Sequence, residues 1–372
     1  MRQILFRLRL DELFTTEPID GLAALGVGWL LLPWLVYFLG WLYVNRVRLT
    51  PTRETGAAVA MQFVFPVLLL AVWQVSARSA DDARPVGIPL HGYGLMLSLG
   101  FLAGCWTGAR RVRRLGVKPE AAWDLGLWLF VSGLFGARLF YILQYPGRVF
   151  FHAESGAAKT GGDLLLAPFS LWDGGLVVVG CIPFAVLGYF LFCRRRGLRP
   201  LVVGDAVIPS FFIGLAIGRI GCLLNGCCWG DRCELPWAIS FPKDGGVTFA
   251  ALMNRGFLPA DATWTFGLHP TQIYSSINAL ILAAVTAAYF HTRPKPGSVV
   301  AMGSLLYPAS RFVIEFLRGD EMGQFGTSLT ISQWYCIGLF VVGLVFTGWL
   351  SWTGHAANTS KGIAATPEKA AA

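Results

Sequence analysis

Runs of apolar residues close to the length of a bilayer crossing constrain this chain more than any other feature. Residues 21–44 and 56–77 contain no charged side chain. Further apolar runs cover about 90–109, 122–145, 172–192, 203–224, 271–291, 298–317 and 329–352. A helix rises about 1.5 Å per residue, so about 20 such residues cross the hydrocarbon core. The expected fold is therefore all-α: a polytopic helical membrane protein with about nine transmembrane helices. A content of 55% hydrophobic and 14% charged residues, with mean hydropathy +0.57, excludes an ordinary soluble domain. The formal charge of +9 reads as basic clusters between spans rather than as a nucleic-acid footprint, because no soluble domain carries a basic patch.

Those clusters set an orientation. Arg46 and Arg48, Arg110 to Arg114, Arg194 to Arg199, and Arg293 with Lys295 follow the first, third, fifth and seventh runs. By the positive-inside rule these ends are cytoplasmic, and the loops 78–90, 146–170, 226–269 and 319–328 lie outside. The opening residues mix Arg2, Arg7 and Arg9 with Asp11, Glu12, Glu17 and Asp20, which does not fit a cleavable signal peptide. The stretch 226–269 reads as a long polar segment. The last residues, rich in Ala, Lys, Thr and Ser, read as a disordered tail.

Four polar constellations interrupt the apolar background. The first is His91-Gly92-Tyr93-Gly94 at the outer end of the third run, where a Tyr alone would pass for an interfacial belt residue. The second runs from Gly218 to Gly230 and carries Arg219, the Asn225-Gly226 turn and several cysteines. An arginine at membrane depth is costly unless an anion meets it, so Arg219 is a candidate site residue. The plain alternatives are an ion pair with Asp205, on roughly the same helix face, or a snorkelling side chain. The third is Tyr307, Arg311 and Glu315, spaced by four on one helix face, with Arg318 just beyond. It reads either as a structural polar stripe or, with Arg219, as a pair of guanidiniums sharing one phosphate. The fourth is His269-Pro270-Thr271-Gln272-Ile273-Tyr274, where proline suits a helix start and His269 is a candidate acid/base group.

Cys222, Cys227, Cys228 and Cys233 crowd into the second constellation. Outside the cytoplasm they are candidates for one or two disulfides; a thiolate metal site and a thiol-exchange role are the alternatives.

At these motifs the sequence resembles bacterial prolipoprotein diacylglyceryl transferases. Gly218 to Gly230 matches the family's long glycine–arginine signature, and His269 to Tyr274 its His-Pro-Ser-Gln-x-Tyr motif. Tyr307, Arg311, Glu315 and Phe316 match its Tyr-x-x-x-Arg-x-x-x-Glu-Phe motif. Arg138 in Gly136 to Tyr141, Trp172-Asp173-Gly174-Gly175 and Asp205 also fit. The resemblance covers about residues 88–352. It implies a seven-helix transferase core at 88–352, an N-terminal extension at 1–87 with two extra transmembrane helices, and a cytoplasmic tail at 353–372.

The implied activity moves the diacylglyceryl group of phosphatidylglycerol onto the lipobox cysteine thiol of a prolipoprotein signal peptide, in the bacterial cytoplasmic (inner) membrane. The active site would face the outer leaflet, with no cofactor, no metal and no nucleic acid. The resemblance implies catalytic roles for Tyr93, Arg219, Arg311, Tyr307 and His269. It implies substrate-binding roles for Arg138, Asn225, Gly230, Glu315 and Asp205. Three positions depart from the pattern: Val179 replaces a histidine, Cys222 an asparagine and Cys227 a glutamate. A homologue that binds lipid or lipoprotein without transfer, and a membrane thiol oxidoreductase using Cys222 to Cys233, are the alternative functions.

Overall fold

The computed structural model describes residues 4–9, 14–16, 23–45, 67, 70, 87–151, 161, 177–243, 247–292, 294–321, 323–324 and 326–353. In chain order the main elements are β1 (Ile4–Arg9), β2 (Ala24–Gly26), α1 (Leu31–Asn45), β3 (Gly87–His91), α2 (Gly92–Arg114), α3 (Glu120–Gln144), α4 (Val178–Arg195), α5 (Pro200–Asn225), α6 (Val247–Asn254), α7 (Thr271–His291), α8 (Ser298–Glu315) and α9 (Ile331–Thr353). The protein is a helical membrane protein. Among the described residues, α3, α5, α7 and α9 are long and apolar enough to cross a bilayer by length and composition. Helices stand where the first and the third to ninth runs lead one to expect them. The second run apart from residues 67 and 70, the Trp172–Gly175 motif and the tail beyond residue 353 lie outside the described residues.

The chain divides into two compact units. The smaller contains residues 1–96, 220–229 and 233–268. Its sheet departs from an all-helical reading: β1 pairs parallel with β2 and antiparallel with β3. The first apolar run is consequently not one helix. Ala24–Gly26 is strand and Val27–Leu30 a 3-10 turn before α1 begins. Pairing with β1 takes up the backbone groups of Ala24–Gly26 that a helix would have satisfied internally.

The expected polar loop is also more than a loop. Trp229, Phe241, Phe249, Leu252, Leu258 and Leu268 form an apolar core of their own. Bridges at Ile239–Leu268 and Pro242–Trp264 cross-link the segment.

In the larger unit (97–219, 230–232 and 269–372), α2 and α5 meet along a stripe of small residues. A Cβ added to Gly100 would lie 2.8 Å from the Gly214 carbonyl, a separation that real side chains do not tolerate. One turn further, Gly104 faces the Ser210 carbonyl; Thr107 donates to the Ser210 hydroxyl at 3.1 Å and Arg111 at 2.7 Å. Small residues spaced by four let helix backbones approach closely in a membrane, where apolar surface alone gives little drive to associate.

Asp205 sits near the start of α5. Its carboxylate accepts from the backbone N–H groups of Gly297 (2.7 Å), Val299 (3.0 Å) and Val300 (2.9 Å), which open α8. An anion at a helix N-terminus satisfies donors that have no partner within the helix. This corrects the pairing of Asp205 with Arg219 and its reading as a substrate ligand. The fourteen residues between them span about 21 Å of helix, and both oxygens of Asp205 already hold α8.

Candidate active site

Hydrogen bonds on α7 bring the arginine-bearing segments together. Ser276 donates to the Ala216 carbonyl on α5 at 2.9 Å, one turn before Arg219. Asn278 donates to the Ser310 hydroxyl on α8 at 3.0 Å, one residue before Arg311. Ser276 and Asn278 are two residues apart, about 3 Å of rise. The α5 segment approaching Arg219 and the α8 segment carrying Arg311 therefore lie against the same two turns of α7.

On α8, Arg311 is 6% exposed and Glu315 1%. Glu315 is fully engaged. Its Oε2 pairs with Arg311 and lies 3.4 Å from Arg318 Nη1, while Oε1 accepts from Thr330 Oγ1 at 3.0 Å. Arg318 is further held by Asp320, with Nε to Oδ1 at 2.7 Å and Nη2 to Oδ2 at 2.6 Å. Gln333, 2% exposed, accepts from the Thr330 N–H at 2.9 Å and so fixes that residue in turn. This alters the expected role of Glu315 as a substrate ligand: it is the shared counter-ion of two guanidiniums. The partner of Arg311 Nη1 is this carboxylate, although the contact lacks hydrogen-bond alignment.

Gly230 ties three motifs together within the larger unit. Its N–H donates to the His269 carbonyl at 3.1 Å, and it bridges to Arg318. Asp231 N–H donates to Leu317 at 2.9 Å, and His269 N–H donates back to Asp231 at 2.9 Å. A Cβ on Gly230 would stand 2.5 Å from His269 Cβ and 2.6 Å from the Leu317 carbonyl. Only glycine lets the signature segment pass between the start of α7 and the end of α8. His269 Nδ1 lies 3.4 Å from the Tyr274 hydroxyl, a long contact five residues along the same motif.

The Tyr307 ring packs against Phe212, centroids 5.9 Å apart, in an apolar cluster. Arg138 is buried on α3, its guanidinium 5.4 Å from the Tyr141 ring. In the smaller unit, Tyr93 is 41% exposed, and its carbonyl lies 3.3 Å from where a Gly221 Cβ would be. Asn225 ends α5 in the same unit.

None of the eight cysteines is in a disulfide, so the expected pairing among Cys222, Cys227, Cys228 and Cys233 is not observed. Cys222, Cys227 and Cys228 instead converge, with sulfur atoms all within 4.8 Å of one another; Cys233 is not in the group. Hydrogen bonds from the thiols of Cys222 and then Cys228 pull the Cys227 thiol below the ordinary range. The Cys227 thiol also donates weakly to the Cys222 carbonyl at 3.7 Å.

The family profile of the prolipoprotein diacylglyceryl transferases matches residues 83–349. The chain belongs to this family. Among similar proteins, one from Rhodopirellula baltica, named phosphatidylglycerol–prolipoprotein diacylglyceryl transferase, is 27% identical across 90% of this chain and 87% of its own length. Such coverage is reached only by extending into the residues before position 83. Proteins of the same name from Nitratidesulfovibrio vulgaris and Gloeobacter violaceus are 32% and 31% identical. They cover 68% and 71% of this chain, and 86% and 90% of their own lengths.

The sequence signals did not single out Thr330, Gln333, Gly319 or Asp320. Gly319 packs against Asp231, where an added Cβ would stand 2.6 Å from Oδ1. Its position after Arg318 in an Arg-Gly-Asp run is the only sequence hint of that contact.

Proposed function

We propose that this transferase moves the diacylglyceryl group of phosphatidylglycerol onto the lipobox cysteine of a prolipoprotein signal peptide, at the outer leaflet of a bacterial cytoplasmic membrane. The observation that carries the site assignment is the Arg311 guanidinium: buried on α8, held by Glu315, and on a segment that lies against the same turns of α7 as the α5 segment leading to Arg219. A phosphate oxygen is the natural complement, because guanidinium and phosphate match in both geometry and charge. Arg219, approaching along α5, supplies the second cation.

In the reaction the acceptor sulfur bonds to the glyceryl carbon, and the bond from that carbon to the phosphate oxygen breaks. The electron pair leaves with glycerol phosphate, and the arginines stabilise the charge developing there. The thiol proton passes to a base, for which His269 is the candidate in this chain. A thiol with a pKa of about 8.5 needs only modest help.

The test is transfer from phosphatidylglycerol vesicles to a lipobox peptide by purified protein, read as a mass increase of the peptide. Wild type is expected to modify the peptide and Arg311→Ala to fail while remaining folded. Equal transfer by Arg311→Ala and wild type removes the phosphate-clamp assignment. Absence of transfer by wild type, with lipid still bound, turns the reading to a lipid-binding homologue.

A further inference from the structure

The three converging thiols have no part in that chemistry. We infer that Cys222, Cys227 and Cys228 form a binding site for one thiophilic d10 metal cation, copper(I) or zinc(II).

The backbone explains how a four-residue gap and a neighbouring pair reach one point. Cys222 lies on the last turn of α5, and the helix closes through Gly226 N–H to Leu223 (3.2 Å) and Cys227 N–H to Cys222 (3.1 Å). Neighbouring residues in extended chain point to opposite sides. Here Cys228 takes φ 59°, the left-handed region, and is the sole non-glycine with positive φ among the described residues. That turn brings its sulfur to the same side as Cys227. Non-glycine residues avoid this conformation unless their surroundings impose it, and such positions gather at functional sites.

The surroundings do impose it. Thr248 donates its hydroxyl to the Gly226 carbonyl, and Trp229, the next residue after Cys228, is anchored in the core around Phe241 and Phe249. The turn is thus held between α5 and that core within the smaller unit, before any ion arrives.

The distances suit a soft ion. With metal–sulfur bonds of about 2.3 Å, three coplanar thiolates stand about 4.0 Å apart. The sulfurs, within 4.8 Å of one another, need only contract by a fraction of an ångström to about that spacing. Thiolates select copper(I) and zinc(II) over hard cations. Copper(I) is completed by three sulfurs, whereas zinc(II) leaves a fourth position for water. All three cysteines are half-buried, so an ion can reach them. Binding exchanges up to three thiol protons for the metal and involves no redox change. The inference stands apart from the transfer activity, and its test does not read that activity.

The full-length protein in detergent, reduced and anaerobic, is titrated separately with copper(I) against a chromophoric chelator and with cadmium(II) as a zinc probe. Cadmium–thiolate charge-transfer absorption is the readout of the second arm. One ion per chain is expected in at least one arm. Cys222→Ser and Cys228→Ser are expected to weaken binding at least about tenfold, since even changes in the outer shell of a metal site cost that much. Cys233→Ser is expected to bind as wild type. If the serine variants misfold, maleimide labelling of wild type mapped by mass spectrometry decides. Metal is expected to protect Cys222, Cys227 and Cys228 and to leave Cys233 reactive. Binding by neither ion, equal protection of all four cysteines, or a disulfide among the three in the reduced preparation overturns the assignment.

Discussion

Two buried acidic side chains, Asp205 and Glu315, sit in apolar helices of the same bundle and are used in opposite ways. Asp205 accepts from three backbone N–H groups, so its charge is absorbed by the start of α8. Glu315 faces two arginines and a threonine, so its charge is met by side chains. The first arrangement is closed and holds a helix. The second sets side-chain charges against one another on the helix face that carries Arg311. Burial of charge in a span therefore does not by itself mark a site; what the charge is set against has to be read as well.

Substitutions sharpen this contrast. Glu315→Ala strands Arg311, while Arg318 keeps Asp320, and removing one partner of a buried pair costs about 3–5 kcal/mol. Little folded protein, or a large fall in melting temperature in detergent, is expected; unchanged melting would mean that the carboxylate is dispensable. Arg311→Ala is expected to behave differently, because Glu315 keeps Arg318 and Thr330. Transfer per folded molecule should fall about 10²- to 10³-fold, the scale for losing one transition-state donor, while the melting temperature changes little. If stability falls and specific activity does not, Arg311 belongs with Asp205 as a structural charge.

Smaller effects follow. Gly230→Ala forces His269 and Leu317 apart and is expected to cost about 1–3 kcal/mol, with reduced transfer, by thermal melting and the peptide assay. Asp205→Asn keeps acceptors for part of the α8 start but loses the charge. It is expected to cost about 1–2 kcal/mol and to leave transfer per folded molecule unchanged. A selective loss of transfer in Asp205→Asn would restore it to the site and erase the contrast.

The spans were legible because a bilayer demands one length of apolar helix: 271–291 was expected and Thr271–His291 is observed. The spacing of Arg311 and Glu315 likewise gave their pairing, since residues four apart share a helix face. The third partner, Thr330, was not legible. It lies fifteen residues on, and no local rule links it to Glu315. The small sheet escaped because β1 reads ILFRLR, where two arginines interrupt the apolar residues, and β2 is hidden in a run that looks helical. The core around Trp229 and Phe241 escaped because its members are scattered between 229 and 268 without a period. Asp205 was misread because a shared helix face says nothing of separation along the axis.

The glycine stripe where α2 meets α5 limits how lipid can travel. At Gly100 and Gly214 the two backbones touch with no side chain between them to swing aside. An acyl tail or an incoming signal helix could part that seam only by prising two main chains apart, so it works as a bolted joint. Traffic must use the seams where flexible side chains, rather than peptide groups, form the door.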